Sequence, residues 1–434
     1  MRHSIIASKI GSFTDTKEKK QLFSNFFSLS VLQAANYLLP LITLPYLVRV
    51  LGPEKYGLIA FAQAFVAYFQ ILTDYGFNLS ATREISINRE NKEKVSEIFS
   101  SVMTIKFCLL ILSLIIMSVI IFLFAKFRRD SLLYYLTFGM VVGQVLFPVW
   151  FFQGMERMKY ITYLNIGAKL FFTILIFVFI HQASDYIYVP LINSLGFIVA
   201  GIFGIWVVFK EFKINFKVPS LTELQHQLKE GWHIFISTIA ISFYTVSNTF
   251  ILGLFTNNTI VGYYSGAEKI IKAFQGLFTP VSQTIYPYIS KLANESKEKA
   301  IKFIREVTMY VGGVTFVFSL AIFLLGDVIV NILLGEQYES SIVVLKILAF
   351  LPFIVGLSNI FGIQTMLTFD YKRAFSNILI IASIVDLLLA IILVPIYQHI
   401  GISFAALITE IFVTVTMYIY LRNKGIKILQ RKYV

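Results

Sequence analysis

Cysteine, charge and the signatures of soluble catalysis are all scarce in this chain of 434 residues. The single cysteine, Cys108, excludes an intramolecular disulfide. Lying in an apolar run, it is expected to act as a small core hydrophobe. The 5 histidines stand singly and build no metal-spaced cluster. There is no P-loop, so ATP hydrolysis by this chain is not expected, and neither a G-x-S-x-G elbow nor an H-E-x-x-H helix occurs. Charged residues make up 14% of the chain, against about 25% in soluble domains. What fills their place is apolar, with 57% hydrophobic residues and a mean hydropathy of +0.76. Such a composition cannot assemble a surface for water, and the chain reads as an all-α, polytopic membrane protein.

The apolar runs are long and continuous, which favours helices over a barrel of short alternating strands. About twelve spans are expected, near residues 23–48, 57–79, 98–124, 132–152, 160–180, 187–209, 232–255, 260–288, 303–325, 343–367, 375–396 and 400–421. The net charge of +13 does not indicate nucleic acid, because the basic residues sit in short loops between spans. With the N-terminus inside, 26 of the 37 Lys and Arg fall in the tails and cytoplasmic loops, 5 in the outer loops and 6 within spans. Both termini are therefore expected in the cytoplasm. The start, MRHSIIASKIGSFTDTKEKKQ, reads as a basic tail and not as a signal peptide.

The chain also repeats itself. YGLIAFAQAFVAYFQ (56–70) matches VGYYSGAEKIIKAFQ (261–275) at a shift of 205 residues, pairing Gly57 with Gly262 and Gln70 with Gln275. QGMERMKY (153–160) matches QTMLTFDY (364–371) at a shift of 211. Spans six apart correspond, so two parallel six-helix lobes around a central cavity are expected. The organisation is then a basic tail (1–22), an N-terminal lobe (23–209), a polar cytoplasmic linker (210–231), a C-terminal lobe (232–421) and a second tail (422–434).

Polar residues inside the spans are the candidate functional groups. In span 8, Ser265, Glu268, Lys272, Gln275, Thr279 and Ser282 are spaced 3, 4, 3, 4 and 3 apart, one face of one helix. The corresponding face of span 2 carries Gln63, Gln70 and Asp74. These stripes line either a water-filled cavity or a satisfied helix seam. Glu268 and Lys272, at i and i+4, are also placed to neutralise each other. Lys269 lies on the adjoining face among small residues suited to close packing. Lys106, Lys169 and Arg305 fall near cytoplasmic span ends and are expected to snorkel; Lys346 lies near the outer end of span 10. Asn36 and Asn248 occupy the first helices of the two lobes, where amides suit either sugars or packing. Asp386 and Glu410, acids within spans 11 and 12, suit either a proton or sodium site or a structural hydrogen bond.

LPYLVRVLGPEKYGLIAFAQ (44–63), followed by DYGFNLSATREISINREN (74–91), resembles the amino-terminal hallmark of bacterial polysaccharide flippases of the multidrug/oligosaccharidyl-lipid/polysaccharide exporter superfamily. The resemblance implies two lobes arranged like a V. It further implies outward transfer of undecaprenyl-diphosphate-linked oligosaccharide repeats by alternating access, coupled to a proton or sodium gradient, with no other cofactor. Related flippases engage the diphosphate with cavity cations; Lys269 and Lys272 are the best-placed candidates here, with Arg49 near the outer end of span 1. Residues 74–91 are expected to leave span 2 and run as a short helix along the membrane. There Arg83, beside Glu84, either meets a lipid phosphate or locks an inner gate, and Asp74 continues the cavity stripe. The alternative is an ordinary interfacial amphipathic helix. Implied partners are the lipid-linked glycan, membrane lipids, and polysaccharide polymerase and chain-length proteins.

Two rivals stay open. A cation antiporter of the same superfamily would want an acid-rich cavity, whereas span 8 carries two lysines beside one glutamate. A polymerase or ligase would want a large basic outer loop; GDVIVNILLGEQYES (326–340) is short and has no Lys or Arg.

Overall fold

The structure is a computed structural model and describes residues 17–429. The outermost parts of both basic tails (residues 1–16 and 430–434) lie outside the described residues. Among those described, every regular element is helical. In chain order the helices are α1 (Lys17–Asp74), α2 (Phe77–Ile87), α3 (Lys92–Leu123), α4 (Ala125–Arg128), α5 (Ser131–Leu146), α6 (Val149–Gly154), α7 (Met158–Phe179) and α8 (Tyr188–Glu211). They continue with α9 (Leu221–Thr245), α10 (Ser247–Phe255), α11 (Asn258–Gly276), α12 (Thr279–Glu295), α13 (Lys297–Leu324) and α14 (Gly326–Leu333). After α15 (Ser341–Leu348) and α16 (Leu351–Asn359) comes a π-helix (Ile360–Leu367), and α17 (Lys372–Asn423) completes the series.

Among the described residues, eight stretches are long and apolar enough to cross a membrane, two of them double-length: Val31–Ile87 and Lys372–Asn423. At 1.5 Å per residue, 52 residues would extend roughly 78 Å, far beyond a hydrocarbon layer of roughly 30 Å. Each long helix is broken once. In α1 the break is Gly52 (φ 68°), followed by Pro53; in α17 it is Gln398 (φ 51°). The second break turns the chain back on itself, since Thr409 hydrogen-bonds Asp386, 23 residues earlier. Spans 7 and 8 are each interrupted, as α9–α10 and α11–α12. Their polar content takes them out of a hydropathy count, although they have the length.

The surface carries the apolar residues that water would reject. Phe122, Leu324 and Ile396 are 73%, 65% and 66% exposed, natural for a belt against lipid. The interior takes small and hydroxylic residues: Ser100, Ser101, Thr137, Thr315, Ser319 and Ser403 are fully buried. Several of these hydroxyls donate to a carbonyl one turn back on their own helix, as Ser100 does to Ser96 and Thr137 to Leu133, which removes the cost of burying them. Cys108 is exposed rather than in the core expected for it. Hydropathy does not distinguish a lipid-facing position from a buried one, because both environments are apolar.

By contacts the chain forms two compact units. Of the described residues, the first comprises those up to 36, 68–177 and 190–236; the second comprises 37–67, 178–189 and those from 237 onward. In the first unit, α6 supplies a fully buried aromatic core of Trp150, Phe151 and Phe152. Phe99 packs on Trp150 at 5.7 Å, and Phe212 on Phe151 at 5.1 Å. In the second unit, the repeat-related glycines meet: a Cβ on Gly57 would lie 2.5 Å from Gly262 N and 1.8 Å from Asn258 O. Backbones approach this closely only where side chains are absent.

Candidate functional site

In the first unit, the segment DYGF is the hinge between α1 and α2. Tyr75 (φ 48°) and Gly76 (φ 80°) both adopt left-handed backbone. Gly76 is required twice, since a Cβ there would also meet Ile234 Cγ2 at 2.7 Å. The Tyr75 ring stacks on Phe235 at 4.6 Å. Asp74, just before the hinge, accepts from Asn78 Nδ2 at 2.6 Å and faces Lys106 Nζ at 4.0 Å. Lys106 is 1% exposed, so it does not snorkel as expected. A buried ammonium needs a partner, and Asp74 provides it. The pair is invisible to a reading of either span alone.

Helix α2 is not a free interfacial helix. Its face of Phe77, Ala81 and Ile85 is buried, and a Cβ on Gly154 of α6 would lie 2.7 Å from Ile85. Thr82 donates to Trp150 O at 3.1 Å. Arg89 pairs with Glu156 at 2.8 Å. Glu84 accepts from Gln227 Nε2 at 2.5 Å and lies 2.8 Å from His226 Nε2, which ties α2 to the start of α9. Arg83 is exposed and, among the described residues, forms no ion pair. Lys169 donates to Asn36 Oδ1 at 2.5 Å. Gln70 accepts from Gln144 Nε2 through its backbone carbonyl at 3.4 Å.

The second unit contains a cleft of about 590 Å³ between α11–α12, α13, α16 and the π-helix. Four residues of the span 8 stripe line it: Lys272, Gln275, Thr279 and Ser282. The helix breaks after Gly276, yet the stripe persists into α12. Lys272 is half-exposed and pairs with Glu268 at 2.9 Å. Glu268 in turn lies 3.4 Å from the Tyr264 hydroxyl. The Asn248 amide is within hydrogen-bonding reach of both Tyr264 and Asp386. Asp386 Oδ1 accepts from Thr409 Oγ1 at 3.2 Å. One chain of polar groups thus runs from Lys272 at the cleft to Asp386, which is 1% exposed. Asp386 Oδ2 and Asn248 Oδ1 are buried with no hydrogen-bond partner among the described residues.

The other sequence-derived candidates are dispersed. Lys269 does not line the cleft; its ammonium stands 5.9 Å from the Tyr56 ring centroid. Arg49 is exposed and caps α14 by donating to the Ile332 carbonyl. Gln63 is half-buried in α1, and Glu410 half-buried beside Thr409 in α17. Lys346 pairs with Asp327 at 2.6 Å, and Arg305 donates to the carbonyls of Ile428 and Lys427 at 2.9 and 3.0 Å. Asn359, Gln364 and Tyr286 also line the cleft and were not singled out from the sequence. The only signal for them was polarity inside span 10 for Asn359 and Gln364 and inside span 8 for Tyr286, and a regular helical periodicity hides the face that Asn359 and Gln364 share.

Comparison with known proteins places this geometry in context. The chain matches the family described as polysaccharide biosynthesis protein over residues 22–293. It is 38% identical over 405 residues to a protein of Escherichia coli (strain K12) provisionally named an O-antigen transporter, covering 93% of this chain and 98% of that one. A solved multidrug resistance transporter of the MATE family, in an inward-facing conformation, superposes with a TM-score of 0.69 at 14% identity, covering 93% of this chain and 100% of the other. The lipid II flippase MurJ, in an inward closed conformation, gives 0.67 at 15% identity, covering 92% and 87%. At such identities the likeness is one of fold.

Proposed function

Because the chain belongs to the polysaccharide biosynthesis protein family, we propose that it is a flippase for lipid-linked oligosaccharide repeat units. It carries undecaprenyl-diphosphate-linked glycans from the cytoplasmic to the outer leaflet of the bacterial cytoplasmic membrane, O-antigen being the class named for its relative in Escherichia coli. Both termini lie in the cytoplasm, as the distribution of Lys and Arg favours. No bond of the cargo is broken, so the chain is a transporter and not an enzyme. On the outer side the glycan passes to the polysaccharide polymerase and chain-length proteins.

The observation that carries the reading is Lys272, a cation at a cleft with no carboxylate among its described lining residues. A diphosphate bound there competes with Glu268 for the ammonium. Glu268, displaced, stays connected through Tyr264 and Asn248 to Asp386. The donor set at the far end is a carboxylate, an amide and a hydroxyl, with two oxygens lacking partners. These hard oxygen ligands fit a proton or a sodium ion. Asp386, Asn248 and Thr409 would hold the coupling ion, which supplies the gradient energy. Substrate and ion sites then lie along one run of neighbouring polar groups, Glu268, Tyr264, Asn248 and Asp386.

The test is flipping of a fluorescent undecaprenyl-diphosphate oligosaccharide in proteoliposomes. The wild-type chain is expected to move it outward, and Lys272→Ala to lose at least tenfold in rate while remaining folded. Transport that survives Lys272→Ala would return that lysine to a packing role. Movement of organic cations with none of the lipid-linked glycan would replace the flippase with an antiporter of the same fold.

A further inference from the structure

The cleft extends well beyond Lys272, into a region that neither the family description nor the relatives' names assign. We propose that this extension is a carbohydrate subsite that binds the pyranose attached to the diphosphate and discriminates between glycans. The inference rests on the flippase reading above and adds a specificity determinant to it.

The composition of the wall is the first support. Amides and hydroxyls come from Gln275, Ser282, Gln283, Asn359, Gln364 and Tyr286, and aromatic rings from Tyr37, Phe278 and Tyr286. A pyranose has hydroxyls around its rim and C–H bonds on its faces, so it asks for this mixture of amides and rings. The wall also carries aliphatic side chains, Val281, Ile285, Val307, Val311 and Val355 among them, which suit an isoprenoid tail, but such a tail has no use for the amides. A cation would want carboxylates, and among the described lining residues Lys272 carries the only charge. Lys272 also fixes which sugar this is: a ring bound beside it must be the one next to the diphosphate.

The polar groups are also held in place. Gln364 Nε2 donates to Ser282 O and Oγ at 2.9 and 2.8 Å. Ser282 Oγ donates to Asn359 Oδ1 at 2.6 Å. Asn359 therefore commits its carbonyl to the protein and keeps its NH₂ as a donor. Gln364 is 1% exposed and its Oε1 has no hydrogen-bond partner among the described residues. A buried acceptor left unpaired costs about 1–3 kcal/mol, and a ligand hydroxyl removes that cost. The side chains of Gln275 and Gln283 have no hydrogen-bond partner among the described residues either.

The backbone explains how these residues come together. Asn359 and Gln364 are five apart, which in an α-helix places them roughly 140° apart around the axis. The π-helix over Ile360–Leu367 widens the turn to i→i+5, as in the Thr365 hydroxyl bond to Ile360 O at 2.7 Å. Residue i+5 then sits over residue i, and both amides reach Ser282. A π-helical departure inside a longer helical span is frequently found at functional sites.

Binding is the direct test, because it does not require transport. Undecaprenyl diphosphate with no sugar and the same lipid bearing one N-acetylhexosamine are titrated onto the full-length protein in detergent. The wild-type chain is expected to bind the glycosylated lipid at least fivefold more tightly. Gln283→Ala, at an exposed position, and Asn359→Leu are expected to abolish that preference while leaving the affinity for bare undecaprenyl diphosphate within twofold. Equal affinity of the wild type for the two lipids, or variants that weaken both alike, would overturn the subsite. A sugar preference in a chain that flips neither lipid would support the subsite and overturn the flippase instead.

Discussion

Asp74 in the first unit and Asp386 in the second are both carboxylates inside an apolar layer, and their surroundings differ in kind. Asp74 has an ammonium at 4.0 Å and an amide donor at 2.6 Å. Asp386 has a hydroxyl at 3.2 Å, an amide within reach and one oxygen with no partner. The protein therefore supplies the countercharge for Asp74 and withholds it from Asp386. A buried carboxylate without a cation needs one from outside or a proton. The difference teaches where to look for coupling: at the acid the fold leaves incomplete, not at the one it neutralises.

Removing the internal cation is expected to have the largest effect. Lys106→Met leaves Asp74, which is largely buried, without its cation, and loss of about 3–5 kcal/mol of stability is expected. Thermal unfolding in detergent measures it. The double variant Asp74→Asn/Lys106→Met should recover most of that loss, since both charges then go together. If single and double variants unfold alike, Lys106 is not what neutralises Asp74 and the contrast between the acids collapses. Next in size is Asp386→Asn, which keeps the Thr409 contact and so should fold. It is expected to reduce gradient-driven flipping at least tenfold while binding of the lipid stays within twofold. Unchanged dependence on the gradient would move the coupling site elsewhere.

A smaller effect sharpens the role of the chain between these acids and the cleft. Glu268→Gln removes the rival for Lys272. For a pair this accessible the rivalry is about 0.2–1 kcal/mol, so undecaprenyl diphosphate should bind up to about fivefold more tightly, as titration in detergent would show. Weaker binding would mean that Glu268 positions the lysine instead of competing for it.

These contrasts were only partly legible in the amino-acid sequence. The spans were, because an apolar run of the right length has few alternatives in a chain this poor in charge. Gly57 and Gly262, which the repeat pairs, approach closely, and Lys272, Gln275, Thr279 and Ser282 line one cleft. Lys106 was misread, because snorkelling and pairing look identical until the neighbouring helix is placed. Cys108 was misread because lipid and protein interior are equally apolar. Asn359 and Gln364 were missed because their common face exists only in a π-turn, which a period of 3.6 residues cannot show.

A third carboxylate, this one in water, sets the scale for the other two. Ser220 and Glu223 open α9 as a capping box: the Ser220 amide donates to Glu223 Oε2 at 2.6 Å, and the Glu223 amide to Ser220 Oγ at 3.3 Å. The Ser220 backbone bond holds the Glu223 carboxyl below its ordinary range, with the Ser220 hydroxyl and Lys94 adding to the effect. A carboxyl depressed in the folded state stabilises above its unfolded pKa, and that stability is lost as pH falls through the folded value. Glu223→Gln should therefore fray the start of α9 at pH 7, seen as faster amide exchange over residues 220–224. At pH 3, where wild-type Glu223 is largely protonated in a frayed chain, the difference should narrow or vanish. A difference that persisted at low pH would mean that shape, and not charge, makes the cap. Water and a backbone amide are enough for this acid. Asp74 has a lysine beside it, whereas Asp386 has the Thr409 hydroxyl at one oxygen and, among the described residues, no partner at the other.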